Sequence, residues 1–487
     1  MDAERGHIGP LWIAAGALLV AVIGYSQTLA FAWDEGFHLL AAQMIVRGKR
    51  PYLDFMFPQA PLYTYFNALV MKLFGESWRV VHAVSAIALM GAAVLTADFV
   101  WKRLEDESWK LAAAMCALVL VALNSTILWY CTIGQPYAFS LLLVVAAFRL
   151  TVSAVEETGA GNPLLVSALA GLCAGAAANG TLLGAPFAPV LLTWLLIESQ
   201  ADRWKRAAAF VAGVVPPFLP LAWLFVHGPR QVLFGVFQYH ALYRQADWPD
   251  AGKQNLDVAT AWMNNYEAAM LIGLACLGLT YIVKRSNWDR SKKREFYLCV
   301  WLTLAESAYL CIPRPTFGRY YLFVVPFLAI CASVGLYAIA SLIGSTRMPW
   351  RYPAILAMIV TVAFVKYSVD DANDYNWREL EKVAQKVEAV TPAQAPLLAD
   401  EEIYFLTRHT PPSGNEYMDS HKLDLPDAKA AEMHVIPTAK LKQQVADGKF
   451  ATAVICNDKD KLDALGLPGR YSQKAEESDC SIFWDWK

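Results

Sequence analysis

The chain has 487 residues and a formal net charge of -2; 56% of its residues are apolar and 17% are charged. Soluble domains carry about 25% charged residues, so the composition excludes an ordinary water-soluble protein. A net charge so close to zero argues neither for nor against any partner.

Within a bilayer every backbone polar group must be satisfied internally, so long apolar runs predict helices. Such runs occupy residues 11–31, 80–100, 111–129, 137–152, 163–178, 182–197, 207–226, 268–283, 296–312, 320–343 and 353–367. They predict about eleven spans, close to the roughly 17–25 residues that a bilayer demands. The first run is too long for a cleaved signal peptide and lacks a small-residue cleavage site, so it reads as an anchor. Residues 61–74 are apolar but short and contain Lys72, which predicts an amphipathic helix lying at the interface.

Lys and Arg set the orientation. With the N-terminus inside, the cytoplasmic loops hold Lys102, Arg103 and Lys110, then Arg203, Lys205 and Arg206, then six cations between Lys284 and Arg294, then Arg347 and Arg351. That is the positive-inside pattern. An odd number of spans places the tail, residues 369–487, outside. The expected organisation is a transmembrane domain over residues 1–368, with long outer loops at about 32–79 and 227–267, and a small outer domain. In that tail, Trp377, Leu380, Val383, Val387 and Val390 recur at helical spacing, and short apolar runs follow at 395–399, 403–406, 434–436 and 452–456. Helix alternating with strand predicts an α/β domain.

The first outer loop carries the sharpest signal. It reads Trp33-Asp34-Glu35-Gly36-Phe37-His38, then Gly48-Lys49-Arg50-Pro51-Tyr52-Leu53-Asp54-Phe55 and Pro58-Gln59-Ala60-Pro61-Leu62. Two readings of Asp34 and Glu35 stand side by side. A carboxylate can take the proton of a hydroxyl as it attacks, or the pair can simply cap the following helix through its dipole. Asp-Glu after the first span, Gly-x-x-Pro-Tyr-x-Asp-Phe and Pro-x-x-Pro-Leu together resemble the first outer loop of the C-type (GT-C) glycosyltransferases. The likeness is to the bacterial branch related to dolichyl-phosphate-mannose protein mannosyltransferases and the lipid A aminoarabinose transferase, and it covers roughly residues 10–368. It implies a multi-span membrane enzyme that uses a lipid-phosphate-linked sugar. Carried over, it makes Asp34 the catalytic carboxylate, Glu35 the neighbour that orients or tunes it, and Asp54 a second candidate. Many relatives carry another acidic residue on the next outer loop. Here that loop, Trp129 to Tyr137, has none, so a divalent metal is possible but not indicated, and no cofactor is implied. Gln135 reads either as a sugar contact or as a helix terminator.

A donor phosphate needs cations, and the planar fork of arginine suits it. Arg79, Arg314 and Arg319 are the candidates, with Tyr320 beside the last; the alternative for each arginine is snorkelling to lipid headgroups. In the second outer loop His240 and Arg244 lie four residues apart, on one helical face. With His38 they are candidates for donor or acceptor contact, whereas Tyr239, Tyr243 and Trp248 fit an interfacial aromatic belt. No Walker loop, His-Glu-x-x-His or Gly-x-Ser-x-Gly motif is present, which fits an enzyme that does not use nucleotide sugars, and no feature points to nucleic acid.

The expected function is an inverting, mannosyltransferase-like hexosyl- or pentosyltransferase of the cell envelope. It moves a sugar from a polyprenyl phosphate to a lipid, glycan or protein hydroxyl on the outer face of the inner (plasma) membrane. The alternative is a transporter or flippase of lipid-linked saccharides. That alternative calls for charged or broken helices near the midplane, while the spans here are nearly uncharged. Of nine cysteines, Cys456 and Cys480 lie in the tail, where an oxidising compartment allows a disulfide; two buried thiols are the other reading. The orientation is tested by placing a single cysteine in the tail of intact spheroplasts. An impermeant maleimide is expected to label it without lysis, and labelling only after lysis rejects this topology.

Overall fold

In a computed structural model the chain is described over residues 2–28, 33–104, 106, 108–156, 162–242, 251–285, 288–312, 316–344, 347–370, 376–392, 394–456 and 463–487, with backbone alone at 2–7, 33, 251, 252, 367, 368 and 370. Each of the eleven predicted apolar runs overlies helix. Seven helices among the described residues are long and apolar enough to cross a membrane: Ile8–Ser26, Trp78–Arg103, Tyr137–Val155, Pro163–Gly180, Arg203–His227, Tyr266–Lys284 and Gly318–Leu342. Lys110–Ala122 and Leu182–Glu198 are shorter apolar helices.

Where helices break, local chemistry gives the reason. The run 111–129 divides into Lys110–Ala122 and Ser125–Tyr130 because Asn124 caps the second piece, its Oδ1 accepting from Ile127 N at 3.1 Å. Asparagine favours that role over helix interior. Pro216 and Pro217 form a tight 3-10 turn between Arg203–Val214 and Leu219–His227, since each proline lacks the amide an α-helix would need.

The chain folds as two units. The first comprises Met1–Thr28, His82–Leu219 and Asp250–Asn373 and is built from the long helices. Its charges gather at helix ends next to the basic loops. Arg103 pairs with both Glu156 and Glu295, Arg149 with Asp98 at 2.6 Å, and Arg294 with Glu198 at 2.5 Å. One of its close crossings joins Tyr266–Lys284 to Val325–Leu342. A Cβ on Gly278 would lie 2.0 Å from Cys331 O, and one on Gly335 would lie 2.0 Å from Leu274 O. Small residues permit such backbone approach where lipid supplies no hydrophobic drive between helices.

The second unit gathers three distant stretches, Leu29–Val81, Pro220–Pro249 and Asp374–Lys487. The two stretches expected as outer loops thus group with the tail in one unit. Helix Leu62–Phe74 buries Tyr63, Asn67 and Met71 and exposes Leu69, Leu73 and Phe74, the apolar outward face expected of an interfacial helix. Helix Trp377–Val390 forms where its periodicity predicts, with Asn376 accepting from Arg378 N and Glu379 N. The run 403–406 is not a strand but lies in helix Glu401–Thr407, whose first turn carries Glu401 and Glu402, a placement the helix dipole favours. Strands β1 (Leu397–Leu398), β2 (Thr452–Cys456), β3 (Tyr471–Glu477) and β4 (Cys480–Trp486) form one sheet in the order β1-β2-β4-β3. The β1–β2 pair is parallel and the others antiparallel. Leu398, Val445, Phe450, Ile455 and Phe483 fill the core beside it. Cys456 stands opposite Cys480 across the β2–β4 pair, and the two are disulfide-bonded.

Gly335→Ala or Gly278→Ala places a methyl against a carbonyl oxygen. Each is expected to destabilise the first unit by about 1–3 kcal/mol, the usual cost of overpacking. Thermal melts of purified protein in detergent read this; an unchanged melting temperature for both rejects the close crossing.

Candidate functional site

Asp34 and Glu35 occupy the first turn of helix Trp33–Val46. Both readings of the motif are therefore physically available to them, and their surroundings differ. Glu35 is fully buried and its Oε2 accepts from Trp377 Nε1 at 3.2 Å. Trp377 stacks on Trp78, ring centroids 5.4 Å apart. Trp78 Nε1 donates to Glu381 at 3.0 Å, and Arg79 grips the same carboxylate at 2.5 and 3.1 Å while lying over the Trp78 ring. Further along the helix, Gln43 Nε2 donates to Phe405 O and Arg47 Nη1 to Arg408 O, both at 3.1 Å. Gly36 sits where a Cβ would come within 2.7 Å of Glu402 Oε2. The tail is thus keyed into the helix at its start, middle and end.

Asp34 itself is half-buried. One turn on, Phe37 packs edge-on against Tyr417 at 5.2 Å, and Tyr239 OH donates to Tyr417 OH at 3.3 Å. Tyr239 follows a π-helical turn, Phe234–Gln238, in which Gly235 presses on Phe57 O and Tyr52. A π-turn is often found at functional sites. His240 Nε2 donates to Pro58 O at 2.6 Å. His38 is buried among Phe37, Phe57 and Tyr63, and burial pushes its pKa down to about 3. Asp54 accepts from Arg50 N, Nε and Nη2 at 2.7, 2.9 and 2.8 Å, and that arginine holds it below the usual carboxylate range. The second unit therefore assembles Asp34, Glu35, His38, Asp54, Arg79 and His240. Arg244 lies outside the described residues.

In the first unit, Arg319 is set in an aromatic cage. Its guanidinium lies 4.4 Å from the Phe317 ring centroid, 5.6 Å from Tyr130 and 5.7 Å from Tyr320, and its Nε donates to Tyr137 OH at 3.2 Å. Gln135, two residues before Tyr137, is 1% exposed, and neither end of its amide has a hydrogen-bond partner among the described residues. Buried amides are normally satisfied by protein or by water. Ahead of this loop, Glu267 Oε2 accepts from Asn124 Nδ2, Ser125 N and Ser125 Oγ at 3.1, 3.0 and 2.7 Å. Arg314 lies outside the described residues. No group of three His, Cys, Asp or Glu side chains placed to hold a metal occurs among the described residues.

The sequence pattern does not mark Trp377, Glu381, Tyr417 or Glu267 as site residues, and it makes Tyr239 a belt residue. None has a local signature, since each acts through partners more than a hundred residues away.

No family model and no curated protein matches the sequence. Solved structures match the fold. ArnT from Cupriavidus metallidurans bound to undecaprenyl phosphate gives a TM-score of 0.69 at 13% identity, over 97% of this chain and 98% of that one. The apo form of the same protein gives 0.69 at 14% identity, over 99% and 98%. The Archaeoglobus fulgidus oligosaccharyltransferase in complex with zinc and sulfate gives 0.54 at 14% identity, over 90% of this chain and 67% of that one. At such identities the likeness is one of fold: the chain has the ArnT-like, C-type fold that its first outer loop resembles.

Burial sets the acid–base state of the tail near helix Trp33–Val46. It raises Glu401 to about 8 and Glu416 to about 7, from 4.5. Because both are raised, their contribution to stability is full below pH 4.5 and is lost as pH climbs through about 7 and 8. His38 has the opposite sign: lowered from 6.5 to about 3, it costs stability only as pH falls below 6.5. Above pH 6.5 the two carboxyls therefore act against the fold without His38. Tryptophan-fluorescence melts are expected to show stability falling between roughly pH 6.5 and 8.5, and Glu401→Gln is expected to flatten that fall. An equally steep fall in the variant rejects Glu401 as its source.

Proposed function

We propose that the protein is an inverting membrane glycosyltransferase that moves a sugar from a polyprenyl-phosphate donor to an acceptor hydroxyl on the outer face of the membrane. The observation that carries this reading is the fold shared along nearly the whole chain with ArnT, a protein seen with undecaprenyl phosphate bound. Asp34 acts as the base. Glu35 is committed to Trp377 and Asp54 to Arg50, so these two serve to build the site. Asp34 stands in the first helical turn, where exposed amides and the dipole favour its anion. It takes the proton of the acceptor hydroxyl as that oxygen attacks the anomeric carbon. The bond to the phosphate oxygen breaks on the opposite face, and the lipid phosphate departs as the anion.

That anion needs a cation. Arg319 suits this role, because aromatic faces hold its guanidinium in place and the planar fork of arginine matches phosphate. Arg79 is engaged by Glu381, and its role is to join the start of helix Trp78–Arg103 to the tail helix. Gln135 and Tyr320, in the same unit as Arg319, contribute sugar or phosphate contacts, and His38 and His240, in the same unit as Asp34, contribute donor or acceptor contacts. The second unit faces the oxidising side of the membrane, in keeping with its disulfide, and the N-terminus faces the cytoplasm.

Two variants test the reading. Asp34→Asn is expected to cut turnover by about 10²–10⁴-fold, the usual contribution of one general base. The readout is release of undecaprenyl phosphate from the lipid-linked sugars of native membranes, followed by mass spectrometry. Arg319→Ala is expected to abolish most of the thermal stabilisation that added undecaprenyl phosphate gives the purified protein. Near-normal turnover in the first, or full stabilisation in the second, rejects the corresponding assignment.

A further inference from the structure

Tyr417 belongs to the tail, far from the first outer loop in sequence, yet it stands beside the start of helix Trp33–Val46. Its ring meets Phe37 at 5.2 Å and Tyr239 at 5.6 Å. Residues three apart share a helical face, so Phe37 brings Tyr417 to the face that carries Asp34. The backbone there is held firmly. Met418 N donates to the buried Glu401 Oε1 at 2.7 Å, Ser420 Oγ donates to Tyr417 O at 2.5 Å, and Glu402 abuts Gly36. The tail segment after Tyr417 and the residue after Glu35 are thus registered through adjacent glutamates of one short helix. Tyr239 OH donates to Tyr417 OH, which uses a lone pair of the Tyr417 oxygen and leaves its own proton to be given onward.

We propose that Tyr417 is a positioning residue for Asp34: its phenol, oriented by Tyr239, donates to the carboxylate and fixes its orientation toward the acceptor hydroxyl. This rests on the reading of Asp34 as the base. The charge of Asp34 is among the influences that keep the phenol protonated, after burial and the neighbouring Tyr239 and Asp419. A donor held in this way has two effects. It restricts rotation of the carboxylate, and it favours the ionised form at mildly acidic pH. The tail then has a part in the chemistry beyond covering or bracing the loops.

Other titratable groups around this point are Glu35 and His38 on the same helix, Glu401, Glu402, Glu416 and Asp419 from the tail, and Tyr239 and His240 from the 220–249 stretch. His38 stays neutral down to about 3, and Glu401 titrates only near 8, so neither sets the acidic limb of a rate profile; Glu416, raised to about 7, accepts from Gly414 N at 2.6 Å, and a Glu416→Gln profile measured alongside separates its titration from that of Asp34.

Tyr417→Phe keeps the ring contacts and removes the hydroxyl. With full-length protein and the lipid-linked sugars of native membranes as donor pool, release of undecaprenyl phosphate is measured at limiting donor from about pH 5 to 8. Loss of a hydrogen bond to a charged group is expected to lower the rate about 10–100-fold and to move the acidic limb to higher pH. Tyr239→Phe is expected to move the limb the same way by less, and the double variant to match Tyr417→Phe alone. This second variant carries the test if Tyr417→Phe fails to fold, because an unmoved limb in Tyr239→Phe equally overturns the proposal. A profile superimposable on wild type, or a uniform rate loss with no displacement, overturns the positioning role while an inactive Asp34→Asn leaves the base assignment standing. An active Asp34→Asn overturns the base assignment, and the positioning role with it.

Discussion

A buried carboxylate that lacks a donor is costly, and Glu35 obtains its donor from the indole of Trp377, 342 residues away in the chain. The second unit is organised around that bond. Trp377 is held flat against Trp78, and Glu381, one helical turn further on, takes hydrogen bonds from both Trp78 and Arg79. The beginning of one outer loop, its end and the first helix of the tail are thereby fastened at one place. Helix Trp33–Val46 adds Gln43 and Arg47, each donating to a tail carbonyl. Asp34 is adjacent to the fastening point, so its position follows from the folding of the tail.

Adjacent acidic residues thus have divided roles, and environment makes the division. Glu35 is enclosed and bound to an indole, and Asp54 is clamped by the backbone and guanidinium of Arg50. The arginines separate in the same way. Arg79 is spent on a carboxylate, while Arg319 lies in a cage of Tyr130, Phe317 and Tyr320 with Tyr137 at its Nε.

The first unit solves the membrane problem by other means. Backbone contact at Gly278 and Gly335 brings two helices together without a hydrophobic drive. Toward helix ends, Arg103, Arg149 and Arg294 find carboxylates. Glu267 enters this unit as the partner of Asn124 and Ser125, and so braces the turn that leads to Gln135 and Tyr137.

The sequence by itself determined the elements whose cause is local. Apolar run length places the helices, because a helix alone satisfies its own backbone in lipid. The periodicity from Trp377 to Val390 places the tail helix, and the Asp-Glu motif and its prolines mark the first outer loop. The spacing of Cys456 and Cys480 between two apolar stretches foreshadows the paired strands that the disulfide joins. Only the tertiary structure decided what depends on distant partners. Residues 403–406 lie in helix Glu401–Thr407, where Glu401 accepts from Met418 N and Phe405 O accepts from Gln43 Nε2. The outer loops joined the tail because Glu35, Gln43, Arg47 and Arg79 find their partners there. Tyr417 came to stand by Asp34 for the same reason. Hydrophobic period and helix capping act over a few residues and leave a trace in the order of the chain. A hydrogen bond between residues hundreds of positions apart leaves none, because either partner alone is an ordinary tryptophan, tyrosine or glutamate.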